Sequence, residues 1–323
     1  MPQGDQVKNG KAFEYALAQQ YCDFINGSGA KAIVEENEAY RIAKGYYDDF
    51  AESIQHRYDR AAFQTIDTMI RIEPGLLSAR NEEDILHIKL MKDSAGESGD
   101  VRDVTFSRTK PVWEIGFSAK NNNDAVKHSR LSHVLDFGQE WLNIPCSTTY
   151  WDNIRPIFDL IQTLRDKGIP TWRAMGNDKQ SRIYRPLLEA FRKELLFMDE
   201  NHDDVPAKLV SYLIGEYPFY KIIKDDAHNL VIVKAFNING QLNKTVNSQK
   251  ARYKVPSISL PKRIVEFKMK DKSDDTLNMI LDGGWEISFR IHNASSALEK
   301  SLKFDIRLLG NPPILFTQHL FQD

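Results

Sequence analysis

The stretch from Ser98 to Arg130, SGDVRDVTFSRTKPVWEIGFSAKNNNDAVKHSR, constrains the fold more than any other part of the chain. It sets Asp100 and Asp103 ahead of a short strand, turns at Arg108 to Pro111, and runs a second strand into Ser118-Ala119-Lys120 and an amide-rich, basic exit. If the turn centres near Lys110, antiparallel pairing places residues whose numbers sum to about 220 opposite one another. Asp103 then faces the neighbourhood of Phe117 and Ser118, with its carboxylate near Lys120. Side chains alternate along a strand, so Glu114, Gly116, Ser118 and Lys120 share a face. A carboxylate and an ammonium at the end of adjacent strands can hold a divalent cation, position water and stabilise charge on a phosphate oxygen. The plain alternative is a surface ion pair on a hairpin.

The rest of the chain reads as support. Asn9 to Asn26 has helical period, with Phe13, Leu17, Tyr21 and Phe24 in one stripe, Asn9 as cap and Gly27 as stop. Helices are predicted over about Glu35 to His56 and Asp59 to Arg71, and a strand over Asp84 to Met91. Helical period returns in Trp151 to Arg165, which Pro156 interrupts near its start, in Gln180 to Phe197, and in Val205 to Ile214. From about Tyr217 the texture changes to short β-type runs, two of them joined at Asp282-Gly283-Gly284. A boundary near Glu216 is therefore expected, with residues 1–216 forming a helical and catalytic core and 217–323 a β-rich part.

Composition narrows the class. With 323 residues, 41% hydrophobic and 27% charged, the chain can bury one large core or two modest ones. Neither an apolar leader nor a run of about 18 apolar residues is present, so a cytoplasmic protein without a membrane partner is expected. Cys22 and Cys146 lack a CxxC or Cys/His setting and read as buried thiols. Net charge is only -2, but Lys244 to Lys270 carries eight Lys/Arg against one acid, whereas Glu73 to Asp100 carries seven acids against three bases. That asymmetry suggests a binding face and an acidic centre.

The order of these residues resembles the PD-(D/E)xK nucleases, in which an Asp opens one strand and an acid-x-Lys closes the next. The resemblance implies an α/β (α+β) fold: a mixed sheet flanked by helices, here followed by a mostly antiparallel C-terminal part. Asp103 matches the first acid and Lys120 the lysine. Ser118 departs from the pattern by standing where an acid is expected. Glu114 is on the right face, but four residues at ~3.3 Å each leave it roughly 13 Å away. Glu14 is the better replacement, since helices upstream of the catalytic hairpin in this superfamily often donate a Glu; Asp100 is a second candidate ligand or a loop acid.

Longer strings, NGKAFEYAL, then GDVRD with EIGFSAKNNNDAVKHSRLS, then SFRIHNASSALEKSLKFDIRLLG, resemble the HaeIII-type restriction endonucleases over essentially the whole chain. The resemblance implies a type II, Mg2+-dependent endonuclease that cuts double-stranded DNA, typically at GGCC with blunt ends. It also implies a cognate DNA methyltransferase acting on the same site. A homodimer and a monomer nicking each strand in turn both stay open. A repair or junction nuclease, or a DNA-binding protein with a decayed site, are the alternatives, the latter motivated by Ser118.

For DNA contact, Asn121 and Asn123 can bond base edges or phosphates, and Lys127, His128 and Arg130 follow on what reads as a short helix. His128 is not expected to ligate metal, because Mg2+ prefers oxygen. Arg252 and Lys254 belong to a basic run, with Lys250, Lys262 and Arg263, suited to the phosphate backbone. Base choice is expected from Arg290, His292, Asn293 and Arg130, since Arg can read guanine bidentately. The competing reading pairs Arg290 and Asn293 with Glu286 or Glu299. The β-rich part would then be the DNA-recognition part.

Overall fold

The computed structural model describes residues 3–79, 84–92, 99–122, 124, 126, 129–176 and 178–321. In chain order the helices and strands are α1 (Gln3–Gly27), β1 (Ala32–Val34), α2 (Glu38–Asp48), α3 (Glu52–Ile72), β2 (Leu86–Leu90), β3 (Val104–Thr109), β4 (Val112–Asn121), β5 (Arg130–Ser132), α4 (Phe137–Leu142), α5 (Thr148–Asp166), α6 (Arg185–Asn201), α7 (Val205–Ile214), β6 (Phe219–Asp225), β7 (Leu230–Phe236), β8 (Ile264–Met269), β9 (Thr276–Leu281), β10 (Glu286–Asn293), β11 (Ser301–Gly310) and β12 (Thr317–Phe321). The α+β class expected from the sequence is what the chain adopts.

The chain divides into two interleaved units, one of Met1–Asp124, Gly215–Ser259 and Ile314–Asp323, the other of Ala125–Ile214 and Leu260–Pro313. One crossing between them falls at Ile214/Gly215, beside the boundary expected near Glu216, but residues 1–216 and 217–323 each contribute to both units. The change of texture there marks the return of the chain to the first sheet, where β6 pairs in parallel with β4.

In the first unit the strands run β1-β2-β3-β4-β6-β7-β12 in a mixed sheet. The β3–β4 hairpin pairs Val104 with Phe117 and Thr109 with Val112, one residue from the register expected. Its inner face packs Phe106 and Phe117 against Tyr21 of α1, and Tyr220, from the neighbouring β6, stands edge-on to Phe117, with ring centroids 4.6 to 6.3 Å apart. Each such buried aromatic contributes on the order of 2 kcal/mol. α1 starts well before Asn9, whose Oδ1 accepts from the Tyr58 hydroxyl, so Asn9 is a tertiary contact and not a cap. The next helix is capped by Asn37, which accepts from Tyr40 N, and it ends sooner than the periodicity suggests. At the turn end of the hairpin, the buried Arg108 donates to the carbonyls of Gly75, Leu76 and Asp84 and to the Asp84 carboxylate.

In the second unit an antiparallel sheet runs β5-β11-β10-β9-β8. Phe267, Phe289 and Phe304 on one face pack around Phe191 of α6. α5 is capped by Ser147 and continues through Pro156. The Asp282-Gly283-Gly284 turn joins β9 to β10 as expected, and Asp282 accepts from the Lys262 and Arg263 amides. Cys22 is buried, but Cys146 is only half-buried, accepting from Gly138 N at 3.4 Å. Among the described residues no helix is long and apolar enough to cross a membrane.

Candidate active site

Asp103 lies immediately before β3, held in the ladder by its own N–H to Phe117 O at 2.7 Å and its carbonyl to Met91 N at 2.9 Å. Its Oδ2 accepts from Ala119 N at 2.7 Å, Ser118 Oγ at 3.3 Å and Lys120 Nζ at 3.4 Å. Three consecutive residues of β4 thus converge on one carboxylate oxygen. Asp103 and Lys120 keep side-chain exposures of 22% and 28%, enough for a substrate to reach them.

α1 brings Glu14 to the same place. The carboxyl is buried, and its pKa is pushed up to about 8 by burial and then by the charge on Asp103, with Lys11 and Lys120 acting the other way. Lys11, one turn earlier, donates to Glu14 Oε2 at 3.0 Å. The arrangement is an alternation of charge, Lys11, Glu14, Asp103, Lys120, across a helix and a hairpin far apart in sequence.

Asp100 does not join this group. Arg102 takes both of its oxygens at 2.8 Å, and Arg102 N donates to it at 3.1 Å. The same guanidinium bonds Glu114 at 2.6 Å and lies 4.7 Å from the Tyr217 ring centroid. Glycine at 116 makes this clamp possible, since a Cβ there would stand 2.1 Å from Arg102 Cδ. Asp100 and Glu114 are therefore the two anions of an arginine clamp, with both Asp100 oxygens engaged by Arg102.

Ser118 is 3% exposed and sits directly across from Lys221 of β6. Lys221 is also buried, and burial lowers its pKa to about 8 against the opposing pull of Asp124, which ion-pairs with both Lys221 and Lys234. Lys224, equally buried, pairs with Asp226 and donates to Asn121 Oδ1 at 3.4 Å. Asn122 exchanges bonds with Asp226 at 2.7 and 2.8 Å. β6 and the turn after it thus hold the segment leaving Lys120. Sequence reasoning missed Lys11, Lys221, Lys224 and Asp124. The available signal was FYKIIKD, where two lysines interrupt a strand whose other residues are almost all apolar.

Of the expected DNA contacts, Asn121 stands beside the site, while Asn123, Lys127 and His128 lie outside the described residues. Arg130 opens β5, not a helix, because the segment pairs with β11, and its guanidinium donates to Ser301 Oγ at 3.3 Å. Arg290 pairs with Asp275 at 3.5 Å, not with Glu286 or Glu299. Asn293 accepts from the Tyr184 hydroxyl at 3.1 Å, and His292 Nδ1 contacts Asn293 O at 2.9 Å. Arg252 N donates to Arg71 O at the end of α3, and Lys254 lines a hollow with Asp67, Arg71 and Tyr253. Gly75, just past α3, abuts Trp113, which puts this basic run at the turn end of the hairpin. Trp113 and Lys120 are roughly 23 Å apart along an extended strand, so the structure does not bring Arg252 and Lys254 to the Asp103 group.

Among the described residues no group of three or more His, Cys, Asp or Glu side chains forms a metal cage. Glu14 and Asp103 are nevertheless hard oxygen donors, and burial, then the charge on Asp103, raises the Glu14 pKa. That is the setting a small divalent cation relieves, with water completing its shell, so the residues present fit such a cation.

The family model described as HaeIII restriction endonuclease matches residues 10–312. The chain is 39% identical over 311 residues to the type II restriction enzyme HaeIII of Haemophilus aegyptius, spanning 94% of each chain. No solved structure matches it.

Proposed function

The chain belongs to the HaeIII restriction endonuclease family, a family of site-specific deoxyribonucleases, and on that premise we propose that it cuts both strands of duplex DNA at GGCC, leaving blunt ends, with Mg2+ as cofactor. The observation that carries the proposal is the convergence of Ser118, Ala119 and Lys120 on Asp103 Oδ2, with Glu14 delivered from α1.

Asp103 and Glu14 would hold the metal, which when bound lowers the pKa of water and neutralises phosphate charge. The chain's own residues supply the rest. Lys120, tethered to Asp103, orients the attacking water or neutralises charge developing on the phosphoryl oxygens in a one-step displacement. Lys11 offsets the negative charge on Glu14, and the Ala119 N–H fixes the rotamer of Asp103. Ser118 ligates nothing; it bonds Asp103 and leaves the second acid to Glu14. Asn121 meets DNA just beyond Lys120 in this reading, as do Asn123, Lys127 and His128, which follow it in the sequence. Arg130, Arg290, His292 and Asn293 contact DNA from the second unit, and Arg252 and Lys254 contact backbone farther from the cut. A palindromic target favours a two-fold dimer, and a cognate methyltransferase protects the same sequence.

Sequencing the ends of DNA digested with and without Mg2+ tests the proposal. Discrete blunt ends within GGCC support it. Smearing indicates a repair or junction nuclease, and a gel shift without cutting indicates a DNA-binding protein with a decayed site.

A further inference from the structure

The face of the antiparallel sheet that turns away from α6 carries a basic stripe of its own. In β10 Ile287, Phe289 and Ile291 are buried, and in β11 Leu302, Phe304, Ile306 and Leu308 are. Strand alternation therefore puts Ser288, Arg290 and His292, and Lys303, Asp305 and Arg307, on the opposite face. The register aligns them in three rows across the sheet: Arg130, Lys303, His292; Asp305, Arg290, Thr276; and Arg307, Ser288, Asn278, Lys268.

These rows hold five Lys/Arg cations and one carboxylate. Adding Asp275 and Glu266, which pair with Arg290 and Lys268, and Glu286, on the same face of β10, leaves five cations against four acids, in a chain of net charge -2. The long side chains stand in solvent: Arg307, Arg290 and Lys268 are 61%, 58% and 56% exposed. Their pairs with Asp305, Asp275 and Glu266 leave the cationic ends in solvent, where they can also meet a phosphate. The charge excess selects a polyanion. A second copy of this chain packing the same face on itself about a two-fold axis would oppose cation to cation.

We propose that this sheet face docks on the phosphate backbone of duplex DNA, with Lys303, Arg307 and Lys268 as phosphate contacts beside Arg130 and Arg290. The inference rests on the reading of the chain as a DNA endonuclease and adds the surface that holds the duplex. Because phosphates carry no sequence identity, these contacts set affinity and register for any duplex alike.

The test is full-length protein carrying Lys303→Ala, Arg307→Ala or both, titrated in Mg2+-free buffer against duplexes with and without GGCC over a range of salt. The double variant is expected to bind both duplexes about tenfold or more weakly, with a salt dependence shallower by about 0.9 per lost contact. The melting temperature should stay at the wild-type value, since both positions lie on the outer face. Unchanged affinity and salt slope overturn the proposal, as does a loss confined to the GGCC duplex, which would be base reading. Wild-type protein that binds neither duplex would instead overturn the endonuclease reading itself.

Discussion

The Ala119 N–H donates to Asp103 Oδ2 at 2.7 Å, so the residue that precedes Lys120 grips the acid through its backbone and not through its side chain. The neighbouring Ser118 contact, at 3.3 Å, is longer and weaker. Ser118→Ala should therefore retain cleavage within about tenfold and lose about 1 kcal/mol of stability, the net value of one hydrogen bond. Cleavage time courses and urea denaturation of the variant check both numbers; a loss near that of an Asp103 variant would make Ser118 part of the chemistry.

Glu14 is buried beside Asp103 with a pKa raised to about 8, a costly placement for a helix that needs no carboxyl to pack. Glu14→Gln keeps the shape and an acceptor for Lys11 but removes the carboxylate that a divalent cation would bind. Cleavage should fall by about a hundredfold or more while the protein still melts cooperatively. Wild-type cleavage by this variant would return Glu14 to a structural role.

Asp100 is expected to behave in the opposite way. Its pair with Arg102 has side-chain exposures of 10% and 9%, and removing its charge leaves that buried guanidinium with Glu114, half in solvent, as its remaining counter-ion. Asp100→Asn should cost about 3 kcal/mol of stability, while the rate of the remaining folded enzyme stays far closer to wild type than that of Asp103→Asn. The comparison requires denaturation curves together with rates normalised to folded protein.

Glu73 gives a pH signature unrelated to catalysis. Burial raises its pKa from 4.5 to about 7, against the bonds it accepts from Tyr220 and Asn243. Between about pH 4.5 and about 7 the folded protein keeps a proton that the unfolded chain has released, so stability falls as pH rises through that window. The total loss is about 3 kcal/mol, complete above the folded-state pKa and absent below about 4.5. Glu73→Gln should lack this slope, and parallel stability curves for the two proteins would contradict the assignment.

The hairpin was legible because period-two alternation and the Arg108–Pro111 turn fix a register within one residue of that observed. Glu14 was legible only through the gap that Ser118 leaves in the motif. Lys221 was not, because a buried ammonium makes sense only with Asp124, far from it in sequence, folded against it. The same distance hid the true extent of each unit: β4 pairs with β6 across an intervening unit, and no local pattern announces that. Arg130 was misplaced because NNNDAVKHSR shows no period-two alternation, and its strand state is imposed by β11, some 170 positions later.

Single-turnover cleavage of a GGCC-containing duplex with Mg2+ by Asp103→Asn and Lys120→Met tests the central claim most directly. The expected result is a loss of at least about a hundredfold in both variants, with melting temperature and duplex binding preserved. Cleavage near the wild-type rate by either variant would contradict it.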